Sequence, residues 1–256
     1  MGDPVLRQDV EGIATLTLNA PARLNTLSDA MLAALAAHLA ALRDDGDVRV
    51  VILAAAGRAF SAGHDLGEMT AARAAPDGGR AAFEDLFARC ARVMTALPLL
   101  PQPVIPRVQG VATAAGCQLV AQCDMAVAAD TARFGVNGID VGLFCSTPMV
   151  PLTRAIPAKA AFEMLTTGRF LGAPEALEAG LINRVVPAAE LEAQTLALAQ
   201  QIAAKPAEVI ALGKAAFHRQ MRMGLEDAYA FTGPVMAGNM LMDAAENGIG
   251  RFLNKE

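Results

Sequence analysis

The sequence has no tryptophan, one tyrosine and only 4% aromatic residues among its 256. Its 54% hydrophobic content therefore rests largely on alanine and predicts Ala-rich helices. No run of about 18 apolar residues is present, so no transmembrane helix or membrane partner is expected. Cysteine is scarce and scattered. Cys90, Cys117, Cys123 and Cys145 form no CxxC pair, which predicts free thiols in a reducing compartment. Histidine is scarcer still, and His38 and His218 have no partner at ligand spacing, so no metal site is expected. Basic residues are outnumbered, 21 Lys and Arg against 26 Asp and Glu, and form no stripe, so no nucleic-acid partner is expected. The opening MGDPVLRQDVEG lacks a basic and then apolar leader pattern, so no signal peptide and a cytoplasmic location are expected.

What is present has the size and rhythm of an α/β protein. A chain of this length can bury roughly 70–75% of its unfolded surface without staples. GIATLTLN (12–19) alternates and predicts a strand. Ser28 is a good helix cap, and Met31, Leu32, Leu35, Leu39 and Leu42 make one stripe, which predicts a helix over 29–43. VRVVILAA (48–55) predicts a strand buried on both faces. Residues 71–80 read as a loop, and Phe83 to Leu97 keep helical spacing. VIPRVQG (104–110) predicts a strand that Pro106 places at an edge or an irregular end. A helix over 115–122 and short strands at 125–129 and 132–135 follow. Beyond residue 146 the pattern is helical at 158–167, 174–179, 188–204, 207–222 and 225–246, with LINRVV (181–186) as the one strand. The expected organisation is an α/β core over residues 1–195 and a helical region over 196–256.

Two turns carry the chemistry. FSAGHDL (60–66) and QGVATAAGCQLVAQCD (109–124) each run from a strand toward a helix through small residues. Small residues let a backbone approach a partner closely, and unused N–H groups there can face a developing negative charge. The same residues also suit plain tight packing.

The segments Leu24–Leu27, Phe60–Leu66 and Gly110–Asp124, with LTTGRFLGAPEALEAGLINRVVP (165–187), resemble in order and spacing the signature segments of the crotonase (enoyl-CoA hydratase/isomerase) superfamily. The run DVGLFCSTPMVPLTRAIP (140–157) resembles in particular the subgroup called enoyl-CoA hydratase domain-containing protein 3. The resemblance implies a crotonase-like spiral of ββα turns with a C-terminal helical region, assembled as a homotrimer or a dimer of trimers. It implies an acyl-CoA substrate, with coenzyme A as the carrier and no permanently bound cofactor. By motif position the thioester oxygen meets the backbone N–H groups of His64 and Ala115. Arg23, Leu24, Ala62, Asp65 and Leu66 match positions along the coenzyme A nucleotide, and Met240 and Lys255 match C-terminal positions that touch it.

The sequence departs from that pattern at two points. A typical hydratase holds its catalytic water with two glutamates, and those positions carry Gln118 and Gly138 here. Gln118 cannot take a proton at pH 7, and Gly138 offers only space. Asp140, two residues beyond, faces the side of Gly138 if that stretch is extended. Cys145 and Ser146 follow and need an adjacent base to act as nucleophiles, for which His64 is the one candidate. Phe144, Met149, Phe162 and the 69–85 segment are expected to shape an acyl-tail pocket. The alternatives to ordinary hydration are a different acyl-CoA reaction through Asp140, Cys145 or Ser146, and acyl-CoA binding without turnover.

Overall fold

The computed structural model describes residues 2–254. The chain begins with β1 (Val5–Val10) and β2 (Ile13–Leu18), an antiparallel hairpin turned by Glu11 and Gly12, both at positive φ. A 3-10 turn over Pro21–Arg23 leads to α1 (Asp29–Arg43), β3 (Val50–Ala55), β4 (Ala59–Ser61), α2 (Leu66–Ala72) and α3 (Arg80–Ala96). Next come β5 (Val104–Val108), β6 (Val111–Thr113), α4 (Ala115–Gln122), β7 (Val127–Ala129) and β8 (Arg133–Gly135). After a 3-10 turn over Asn137–Val141 follow α5 (Met149–Ala155), α6 (Ala158–Thr167), β9 (Phe170–Gly172), α7 (Ala173–Glu178) and β10 (Arg184–Val186). The chain closes with α8 (Leu191–Ala203), α9 (Ala207–Gln220), α10 (Leu225–Met240) and α11 (Asp243–Asn254).

Successive turns of the chain place one strand in each of two sheets. The six-stranded sheet runs β1-β2-β3-β5-β7-β10 and the four-stranded sheet β4-β6-β8-β9. Strand alternation divides the side chains of the larger sheet. Leu16, Leu18, Val51 and Leu53 enter the main core with α1, α3 and α4, while Ile13, Val50, Ile52 and Ile105 meet Leu191, Leu198 and Ala199 of α8 on the opposite face. α8 therefore runs through residues 195 and 196 while packed on the sheet. The α1 stripe is buried as expected, and the Ser28 hydroxyl accepts the Met31 N–H at 3.2 Å.

Several expectations are corrected. Pro106 does not lie at an edge: β5 pairs with β3 through Val104–Pro106 and with β7 through Arg107–Val108, so the missing N–H falls where pairing passes from one neighbour to the other. β1 and β9 were not expected, and β9 puts a second strand beyond residue 146. The three residues of β9 carry too little alternation to read, and β1, six residues long, buries only Val5. The helix expected over 225–246 is two, parted at Leu241–Met242, with Asp243 and Glu246 at the positive end of α11.

α9, α10 and α11 bury little of their own surface. Lys214 is their one buried residue among those described, while Leu241 is 87% and Phe252 82% exposed.

Candidate active site

The two turns singled out in the sequence meet. A side-chain carbon on Gly63, at φ +87°, would lie 3.2 Å from the Ala115 nitrogen and 2.9 Å from the Ala114 Cβ. Gly116 is equally constrained, because a Cβ there would overlap the Ser61 carbonyl oxygen. Only glycine permits this approach of α4 to the end of β4.

Neighbouring carbonyls set the direction of both amides. The Gly63 carbonyl accepts the Leu27 N–H at 2.7 Å. A trans peptide is planar, so the His64 N–H on the same unit points away from Leu27. The Ala114 carbonyl accepts the Gln118 N–H at 3.0 Å inside α4. The Ala115 N–H therefore points out of the helix start, where it has no intrahelical partner. Neither N–H donates to an acceptor among the described residues. Ala114 is held at φ 49°, ψ −119°, a conformation disfavoured for a residue with a Cβ, which costs of order 1–3 kcal/mol. The Ala114 N–H bond to Gly135 O, 2.9 Å, secures it.

The His64 ring lies on the side away from its own N–H. Its Nδ1 sits 3.3 Å from Leu27 O, which can only accept, so Nδ1 carries the proton. The ring stacks edge-on against Phe87 at 5.6 Å. Burial pushes its pKa below the usual 6.5, so the ring is neutral at pH 7.

The segment before α1 braces these turns. Leu24 and Asn25 both hold φ of 51°. Buried Asn25 accepts from Ala20 N and donates to Ala56 O and Ala59 O, and Leu24 O accepts the Ala62 N–H at 3.0 Å. Asp65 caps α2, accepting from Gly67 N and Glu68 N, while Thr26 Oγ1 at 3.0 Å and the Arg23 guanidinium at 2.5 Å hold its other oxygen. Burial pushes the Asp65 carboxyl up, but these donors together hold it below the usual carboxylate range. Arg23 remains half exposed, and Leu66 opens α2 at the surface.

Gln118 lies one turn into α4. It is buried, and its Oε1 has no hydrogen-bond partner among the described residues. The Gly138 position is closed. A Cβ there would lie 2.6 Å from Leu143 O and 2.9 Å from Cys145 Sγ. The stretch expected to be extended is the 3-10 turn, so Asp140 does not share the side of Gly138. Its exposed carboxylate lies against Gly168 and 3.4 Å from Asn137 Nδ2 instead. Burial raises both neighbouring thiols, Cys117 to about 12, and both stay protonated. The Ser146 hydroxyl is exposed and donates to Phe144 O. Phe144, Met149 and Phe162 are exposed at the surface rather than enclosed as an acyl-tail pocket in the single chain.

A charged cluster that the sequence did not disclose sits elsewhere. Asp124 accepts from Val104 N, Lys214 Nζ at 2.7 Å and His218 Nε2 at 2.8 Å, while Lys214 also donates to Leu97 O and Gln102 O. Partners 90 residues apart leave no local signal. A cavity of about 690 Å³ opens beside this cluster, but the Asp124 and Lys214 atoms in its wall are already paired. Met240, at the end of α10, is half exposed, and Lys255 lies outside the described residues. No group of three metal-ligating side chains and no helix long and apolar enough to cross a membrane occurs among the described residues.

Two interlocked sheets, joined turns with free amides and a helical tail define a crotonase fold, and the chain belongs to the Enoyl-CoA hydratase/isomerase family, which residues 8–256 match. It is 45% identical over 251 residues to enoyl-CoA hydratase domain-containing protein 3, mitochondrial, of Xenopus laevis, covering 98% of this chain and 83% of that one. The crystal structure of the human protein of that name superposes with a TM-score of 0.94 at 43% identity, covering 99% and 98% of the two chains. That of an enoyl-CoA hydratase from Mycobacterium smegmatis superposes at 0.95 and 53% identity, covering 99% and 97%. The cytoplasmic expectation is corrected, because the relatives from Xenopus laevis, Homo sapiens and Mus musculus are all named mitochondrial. The lack of a secretory leader pattern in MGDPVLRQDVEG does not bear on a mitochondrial location.

Proposed function

We propose that the protein binds an acyl-CoA thioester and stabilises its enolate oxygen with the His64 and Ala115 N–H groups. The observation that carries this reading is the pair of unused amides flanking Gly63, each aimed by a carbonyl bonded on its far side. Two fixed donors around a developing oxyanion form the arrangement thioester chemistry needs, and one such donor is typically worth about 3–4 kcal/mol. Arg23, Leu24, Ala62 and Leu66 would meet the coenzyme A nucleotide, with Asp65 fixing the Arg23 guanidinium and the start of α2. Met240 and Lys255 would reach it from a neighbouring subunit. The exposed apolar side chains of α10 and α11 support assembly as a trimer or a dimer of trimers.

Within the hydratase/isomerase class, ordinary hydration is the weaker part of this reading. Gln118 cannot exchange a proton, Gly138 has no room for a longer side chain, and Asp140 faces Gly168. The buried thiols near Gly138 lack a base, which disfavours nucleophilic chemistry. Acyl-CoA binding without hydration is the second reading, and the missing carboxylates favour it. The deciding experiment follows the conjugated-thioester absorbance of crotonyl-CoA beside a calorimetric titration of the same ligand. Binding with little hydration supports the second reading, rapid hydration supports the hydratase label, and no binding removes both.

A further inference from the structure

We propose that Ser61 is a positioning residue for the thioester site: its hydroxyl fixes Gly63, and through Gly63 the aim of the His64 N–H, without touching the ligand. The inference rests on the acyl-CoA reading and deepens it.

Ser61 closes β4 and is fully buried. Its Oγ donates to the Asn25 carbonyl oxygen at 2.8 Å and accepts the Gly63 N–H at 3.3 Å. A hydroxyl has one proton to give and lone pairs to receive with, so it serves both partners at once.

Gly63 needs such a grip. It holds φ +87°, and glycine moves between positive and negative φ more freely than any other residue. Nothing in its own side chain fixes that angle, so its two ends must. Ser61 Oγ holds its N–H, and the Leu27 N–H holds its carbonyl at 2.7 Å. The peptide is planar, so the direction of the Gly63 carbonyl is also the direction, reversed, of the His64 N–H. Two grips fix both dihedrals of Gly63. With one released, the residue can turn and carry the His64 amide with it.

The grip is itself anchored. Asn25 is fully buried, and its side chain accepts from Ala20 N and donates to Ala56 O and Ala59 O, which makes its carbonyl oxygen a fixed point. Ser61 passes the position of that network to Gly63. The same residue also meets the other half of the site. A Cβ on Gly116 would lie 2.8 Å from the Ser61 Cβ, so the first turn of α4, with its free Ala115 N–H, rests on Ser61.

The hydroxyl and the packing are separable. Alanine at position 61 keeps the Cβ that supports Gly116 and removes only the two hydrogen bonds. The donor to the thioester oxygen then loses its aim, while Arg23 and Asp65, which hold each other, keep their places along the coenzyme A nucleotide.

The test is calorimetric titration of the full chain and of Ser61→Ala with butyryl-CoA and with S-butyl-CoA, the thioether that lacks the carbonyl oxygen. The wild type is expected to bind the thioester about tenfold tighter than the thioether, and the variant about threefold tighter or less, with thioether affinity unchanged. A ratio that stays the same in the variant, or an equal loss for both ligands, overturns the positioning role and leaves the thioester reading standing. Equal binding of the two ligands by the wild type overturns both. If Ser61→Ala does not fold, Ser61→Cys, which replaces the hydroxyl by a weak donor and acceptor, is judged by the same ratio.

Discussion

The Ala115 nitrogen lies 3.2 Å from where a side-chain carbon on Gly63 would sit, so the two amide-bearing turns are as close as backbone allows. Gly63→Ala should therefore displace one turn from the other, since the new Cβ would also come within 2.9 Å of the Ala114 Cβ at a φ of +87°. Acyl-CoA affinity should fall about tenfold, the size of one lost hydrogen bond of about 1.5 kcal/mol, while free coenzyme A binds as before. Parallel loss of both affinities would mean that the turns do not meet the thioester.

His64→Gln separates amide from ring. The ring is bonded to Leu27 O on the side opposite the N–H, so acyl-CoA binding should persist. The ring does affect acid stability. Burial lowers its folded pKa below the ordinary 6.5, so the unfolded chain takes up a proton first as pH falls. Its contribution is complete above pH 6.5 and is lost as pH drops below that value toward the folded pKa. Denaturation midpoints between pH 7.5 and 5 should slope downward in the wild type and less so in the variant. Matching slopes would contradict the burial argument.

Gly138→Glu should not create a hydratase. The new Cβ would meet Leu143 O at 2.6 Å and Cys145 Sγ at 2.9 Å, an overpacking that typically costs about 1–3 kcal/mol. A lower melting temperature with no gain in crotonyl-CoA hydration is the expected pair of results. A gain in hydration would show that the 3-10 turn yields easily.

Lys214→Met should destabilise the protein by about 3–5 kcal/mol, because it strands the Asp124 carboxylate among buried groups. Burial pushes the Asp124 carboxyl up, but the His218 and Lys214 contacts outweigh it and hold the pKa below 3.8. That contribution is present above the unfolded carboxylate value and is lost as pH falls through the folded one, so it appears as acid unfolding below about pH 4. Urea unfolding at pH 7 measures the first effect, and an unchanged midpoint would show that α9 is held by packing alone.

Light scattering at micromolar concentration should give three or six times the chain mass. Leu241 between the last two helices and Phe252 and Leu253 on α11 are too exposed to be left in water, and a monomer mass would refute the assembly.

The sequence by itself determined the helices with long apolar stripes, α1 and α3 among them, and the order of strand, turn and helix around both glycine-bearing segments. It also showed that positions 118 and 138 carry no carboxylate. These are local properties, readable from side-chain period and residue type. Only the tertiary structure decided that the two turns touch, that the His64 ring and N–H face opposite sides, and that Asp140 leaves the site. It alone paired Asp124 with Lys214 and left Gln118 Oε1 without a donor. Each of these depends on groups far apart in the chain, brought together by packing of the two sheets, and no local pattern encodes such a distance.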